Sequence, residues 1–173
     1  QLFFIIGTKL TTAANAIFLQ YTCPLYVLLF GYWLLGERPR RSDWASMLVI
    51  FAGMLLFFCN DLSPDGFYRN VFGALSGVSM AVMIVCMRSQ KSGVPANTIL
   101  LGNIFGIIVG LPSLLQETFS TSSLSIILYL GVFQLGLSFV FYSIAIKHIQ
   151  AIESTLILTM EPVLNPLWVF LVL

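Results

Sequence analysis

Inside the run "LTMEPVLNPLW" (158–168) a carboxyl group, Glu161, and an amide, Asn165, stand one helical turn apart among residues suited to oil. Two prolines, Pro162 and Pro166, accompany them. Gln20, four residues before Pro24, and Gln134 are likewise isolated polar groups within apolar runs, and Tyr142 lies about two turns beyond Gln134 on a similar face. A charged side chain at the centre of a bilayer costs about 2.5–3.5 kcal/mol or more, so it is tolerated where it meets protein, water or a ligand. The chemistry open to this set is the binding of a small solute and, through Glu161, a proton-linked step. A structural reading stands beside it. Pro162 has no N–H for the carbonyl four residues earlier, and Glu161 or Asn165 would then answer backbone groups that Pro162 and Pro166 set free. Gln20 carries the same pair of alternatives: it lines a cavity, or it bonds the carbonyl freed by Pro24. Glu153, in the first turn of its helix, is placed to cap it.

Other chemistries find no residues. Cys23, Cys59, Cys86 and the lone His148 show neither metal-site nor disulfide spacing. No phosphate-cradling glycine loop or nucleophile constellation is present, so no enzymatic activity and no cofactor is expected. A net charge of +1 implies no bulk attraction to nucleic acid.

The elements that must hold these polar groups follow from composition. The 173 residues are 58% hydrophobic and only 9% charged, against about 25% charged in a typical soluble domain. Continuous apolar runs approaching span length recur along the chain, which predicts an all-α, polytopic transmembrane helix bundle. A membrane β-barrel would require alternation of apolar and polar residues instead. Seven segments result: 2–10, 13–35, 44–59, 71–87, 98–115, 124–146, and one that begins near Ala151. The opening "QLFFIIGTKL" and the closing "LWVFLVL" both read as cut within a span, so a fragment covering about seven spans is expected. Arg38, Arg40 and Arg41, then Arg88 and Lys91, then Lys147 with His148 mark every second connection. The excess of lysine and arginine places these connections in the cytoplasm, with Lys9 a mild exception on the outer side. Gly73 with Gly77, and Gly102, Gly106 and Gly110, form four-spaced rows of the kind that lets helices approach closely. The turn carrying Glu37, Arg38, Arg40 and Arg41 reads as a solvated connection with room for a salt bridge.

The chain also repeats. An offset of 138 residues pairs Phe3 with Phe141, Ile6 with Ile144, Lys9 with Lys147, Ala13 with Ala151 and Pro24 with Pro162, with no gap. Identity is seven of 34 positions, but in both copies a lysine is followed by a tight turn, a new span and a proline 15 residues on. The first segment matches the sixth and the second matches the seventh. Five spans separate the copies, and an odd number makes them antiparallel. Inverted repeats of this kind occur in secondary transporters, whose substrate site lies near the midplane where the repeats meet.

With the repeat in view, "TTAANAIFLQYTCPLYVLLFGYWLLGER" (11–38) and "DWASMLVIFAGMLLF" (43–57) resemble the EamA family of the drug/metabolite transporter superfamily. The resemblance is carried by Ala13, Ala14 and Ala16, then Pro24, then Leu35-Gly36-Glu37, then Trp44 and Gly53, with Glu161-Pro162 in the second copy. It implies a ten-helix protein of two inverted five-helix repeats. On that template, 1–59 is the latter part of the first repeat with three spans, the first partial. Residues 60–70 are an external connection, and 71–173 is the second repeat, truncated before its last helix. The expected function is secondary transport of a small organic metabolite (an amino acid, metabolite or drug) by alternating access, outward, with protons as the coupling ion to test. The expected setting is the lipid bilayer of a bacterial inner membrane, and a homodimer is left open. Two alternatives remain. A non-transporting structural or sensory membrane protein would be packed shut, whereas a nucleotide-sugar or triose-phosphate carrier would need basic residues inside the bundle.

Overall fold

The computed structural model describes residues 2–10, 13–58, 67–115, 121–161, 164 and 171. Helix α1 (Leu2–Leu10) leads to α2 (Ala13–Gln20) and α3 (Cys23–Phe30), and α3 runs on into a π-helical turn, Gly31–Leu35. Three longer helices follow: α4 (Arg41–Phe58), α5 (Phe67–Ser89) and α6 (Ala96–Leu114). Then α7 (Thr121–Tyr129) continues through a π-helical stretch, Leu130–Leu137, into α8 (Ser138–Ala145), and α9 (Ala151–Leu158) closes the order. No strand occurs among the described residues. Taken across their joints, these helices follow the seven apolar segments to within a few residues. Where limits differ, polar end groups explain it. Helix α4 starts ahead of Trp44 because Asp43 Oδ2 accepts the Arg40 amide at 2.7 Å, satisfying an N–H that the first turn leaves without an intrahelical partner. Val71–Ser89 and Ser123–Ala145 are each long and apolar enough to cross a membrane.

The chain divides into two compact units, 1–85 with 150–173, and 86–149. This division crosses the expected repeat boundary near residue 70, because the first part of α5 packs on α1 and α2. In the larger unit small residues set the approach. A Cβ added to Gly73 would stand 2.8 Å from the Leu19 side chain. One added to Gly77 would stand 2.9 Å from the Leu19 carbonyl oxygen and 3.1 Å from that of Gln20. Gly7 of α1 meets Gly73 and Ala16 at the same crossing. The four-spaced pair Gly73–Gly77 therefore makes a helix contact that any larger residue would obstruct. Further along, α9 packs against α3 and α4, burying Val27, Met47, Ala151 and Ile152.

The smaller unit is thinner. Helix α6 packs on α8, with Ile99, Ser143 and Ile146 buried. Along Ser123–Ala145, Ser143 is the one residue that is buried among those described. Gly102, Gly106 and Gly110, expected to mark a helix contact, have nothing within 4 Å of an added Cβ among the described residues.

The two glycine rows should thus respond differently to alanine. Gly77→Ala drives a Cβ onto backbone oxygens that cannot rotate away and should destabilise by about 1–3 kcal/mol. Gly106→Ala meets open space and should be neutral or stabilising by up to about 1 kcal/mol through helix propensity. Thermal unfolding of the full-length protein in detergent checks both.

Candidate functional site

Two helices of the larger unit break at the same place. The α2–α3 joint is a turn at Tyr21 and Thr22, and the turn that ends α9 falls at Thr159 and Met160, 138 residues on. The hydrogen bonds correspond. The Tyr21 amide donates to Ile17 O at 3.0 Å and the Thr159 amide to Thr155 O at 3.1 Å. The next residue in each copy drops to a three-residue bond, Thr22 to Leu19 O at 3.3 Å and Met160 to Ile157 O at 3.1 Å. Pro24 lies in the first turn of α3, where its missing N–H costs nothing and its fixed φ suits a helix start. The Thr22 hydroxyl donates to Leu19 O at 2.6 Å, and that of Thr159 to Leu156 O at 2.6 Å, so side chains take up carbonyls the interrupted ladder leaves short.

The sequence-derived site residues distribute around these breaks. Glu161 follows the second turn directly and is exposed. The Tyr21 hydroxyl donates to its Oε2 at 3.4 Å, a long contact by the standards of an O–H···O bond. Among the described residues no cationic side chain pairs with Glu161; the Arg40–Glu153 pair lies elsewhere. Gln20 does not turn back to the carbonyl ahead of Pro24. Its Nε2 donates to Met80 Sδ of α5 at 3.7 Å. Gln20, Pro24 and Glu161 belong to one compact unit, whereas Gln134 and Tyr142 belong to the other. Gln134 is exposed within the π-helical stretch and Tyr142 is half-buried. Asn165, Pro162 and Pro166 lie outside the described residues.

Tyr21 escaped the sequence reading. It aligns with Thr159, and no helical period links it to Glu161 140 positions away; only the folded chain joins them.

The turn 36–43, read from sequence as solvated, holds more than solvent. Gly36 takes φ +65°, a left-handed conformation that side-chain-bearing residues adopt at a cost. Its place ends the π-helical turn, and the Glu37 amide donates back to Gly31 O at 3.2 Å. Glu37 is then directed at the start of α9, where its Oε2 accepts the Ala151 amide at 2.8 Å. Arg40 Nη1 pairs with Glu153 Oε1 at 3.3 Å, and Glu153 Oε2 accepts the Gln150 amide at 3.0 Å, capping its own helix. The first turn of α9 thus receives carboxylates from its own helix, Glu153, and from Glu37. In the smaller unit Arg88 Nη1 donates to Ile146 O at 2.9 Å and Lys147 O at 2.8 Å, and Lys147 Nζ to Gly93 O at 2.8 Å. Arg88 thus answers carbonyls beyond the end of α8, and Lys147 one beyond the end of α5, as the helix dipole favours.

The sequence profile of the EamA-like transporter family matches residues 1–59 and 69–173 of the chain. No curated protein and no solved structure matches.

The two tethers on α9 should differ in strength. A charge-assisted bond from half-buried Glu37 is worth about 1.5–3 kcal/mol, while a pair using the 69% exposed Arg40 side chain is worth about 0–1 kcal/mol. Glu37→Ala should therefore lower stability more than Arg40→Ala, by those respective amounts, in unfolding experiments on purified protein.

Proposed function

The chain belongs to the EamA-like transporter family, a family of membrane proteins, and from that premise we propose that it works as a secondary carrier of a small organic metabolite. It moves its cargo outward across the inner membrane by alternating access between two inverted repeats, residues 1–59 and 71–173, joined outside by 60–70. The connections rich in arginine and lysine face the cytoplasm.

One observation carries the reading: a helix break with the same two backbone bonds recurs 138 residues apart, at Tyr21–Thr22 and Thr159–Met160. Broken helices at corresponding points of two repeats are how many carriers bring backbone and side-chain polar groups to a midplane site. Beyond the second break stands Glu161, a carboxyl group without a cationic partner among the described residues, touched by Tyr21 of the first repeat. A charge so placed suits a proton or a polar solute more than a fold constraint. Gln20 belongs to the same compact unit as Glu161, while Asn165, Gln134 and Tyr142 are candidates for the cargo path on their sequence positions alone. Arg40, Arg88 and Lys147 each make a contact at a connection, and every arginine stands in or beside a connection in the sequence, which disfavours a phosphate-bearing cargo.

Counterflow with a metabolite mixture in proteoliposomes of the full-length protein tests transport directly; absence of any exchange discards it. Glu161→Gln keeps the shape but cannot exchange a proton, and its transport should lose pH dependence. A profile as steep as that of the parent protein would rule out proton coupling through this residue. Tyr21→Phe removes the donor and keeps the ring, so half-saturation should rise about two- to tenfold.

A further inference from the structure

We infer that Glu37 is a gating residue: its carboxylate, with the Arg40–Glu153 pair, forms a clasp between the ends of the second and seventh segments that must open for the cargo path to reach the cytoplasm. The inference rests on the carrier reading above and adds to it which contact closes one side.

The geometry is specific. Glu37 and Ala151 are 114 residues apart and lie in opposite copies of the repeat, yet the carboxylate accepts the Ala151 amide at 2.8 Å. That amide belongs to the first turn of α9, where N–H groups lack intrahelical partners and the helix dipole draws negative charge. Glu153 already serves the Gln150 amide at 3.0 Å, so local capping of α9 does not need residue 37. A second, distant carboxylate at the same turn does a different task, which is to hold α9 to the end of the Gly31–Leu35 turn. Arg40 on Glu153 at 3.3 Å spans the same two elements. The connection is built to make this reach. Gly36 at φ +65° reverses the chain directly before Glu37, and Asp43 fixes the Arg40 amide at 2.7 Å. Beneath the clasp lies a small cavity lined by Val27, Gly31, Tyr32, Glu37, Pro39 and Ile152. It sits between the two elements the clasp joins. Val27 at its wall is 1% exposed.

A contact of this kind biases a two-state equilibrium by what it contributes in one state and not the other. The charged hydrogen bond and the exposed ion pair fasten the rim of the α3–α9 seam, in which Val27, Ala151 and Ile152 are buried, so release of the clasp is the step that lets this seam part.

The test uses the full-length protein with Cys23, Cys59 and Cys86 replaced by alanine and one reporter cysteine, Val27→Cys. Inside-out vesicles are treated with a membrane-impermeant maleimide from the cytoplasmic side. Labelling should be slow in this background and rise about tenfold with Glu37→Ala, and less with Glu37→Gln, which keeps an acceptor oxygen but loses the charge. A control reporter, Ala16→Cys, is buried at the Gly7–Gly73 crossing and should stay unlabelled throughout. Unchanged Val27→Cys labelling in folded Glu37 variants overturns the clasp, and so does an equal rise at both reporters, which would indicate general loosening. Should the Glu37 variants fail to fold, Arg40→Glu should raise labelling and the pair Arg40→Glu with Glu153→Arg should restore it. A charge reversal that leaves labelling high, or never raises it, also overturns the clasp. Counterflow run in parallel separates the two ideas. Labelling that responds in a protein without exchange keeps the clasp and removes the carrier, whereas active exchange with unresponsive labelling removes the clasp alone.

Discussion

A helix that crosses a bilayer has no water to satisfy its backbone, so any interruption must be answered from within the protein. Most of the larger compact unit can be understood from that constraint. The break at Tyr21–Thr22 leaves carbonyls of Leu19 and Gln20 outside the regular ladder. The Thr22 hydroxyl takes Leu19 O at 2.6 Å, and Gly77 of α5 lets another helix backbone cover the same oxygens. A side chain at Gly77 would hold α5 away and leave the break facing lipid. The glycine is therefore part of the break, although it lies 55 residues downstream of Thr22.

The second break follows the first in its amide bonds but not in its side chains. Where the first copy has Cys23, buried and apolar in character, the second has Glu161, exposed and touched by Tyr21. A shared backbone device thus carries different chemistry in its two copies. Repetition explains why the helices break, and the asymmetry places the carboxyl group on one side of the pair. The polar hydroxyls nearby do not compete for a site role. Ser154 and Thr155 are buried and both donate to Ala151 O at 2.8 Å, which is how a hydroxyl in a helix is commonly satisfied.

Charge at the connections follows the opposite logic. There water is close, ion pairs are cheap to break, and helix ends present amides and carbonyls in need of partners. Glu37 and Glu153 meet the N-terminal amides of α9, while Arg88 meets carbonyls beyond α8. Each charge lies at the helix end whose dipole suits it. A turn that reads as solvated from its composition becomes a fastening point because Gly36 sends the chain back toward another helix.

The sequence by itself determined the helical class, the seven apolar segments, the 138-residue repeat and the proline, Pro24, beside the first helix break. These depend on local patterns: apolar run length, turn residues and the missing proline N–H. It also marked Glu161, because a carboxyl group in an apolar run stands out without any partner. The close approach at Gly73 and Gly77 was legible from their four-residue spacing, but the similar row at Gly102, Gly106 and Gly110 finds no such contact among the described residues. Spacing shows where a helix could be approached and not which neighbour arrives. Tertiary structure alone decided that Tyr21 meets Glu161, that Gln20 turns to Met80, and that Glu37 reaches Ala151. These pairs are separated by 140, 60 and 114 residues. No local periodicity encodes contacts at that range; they exist because packed helices bring distant turns to the same depth.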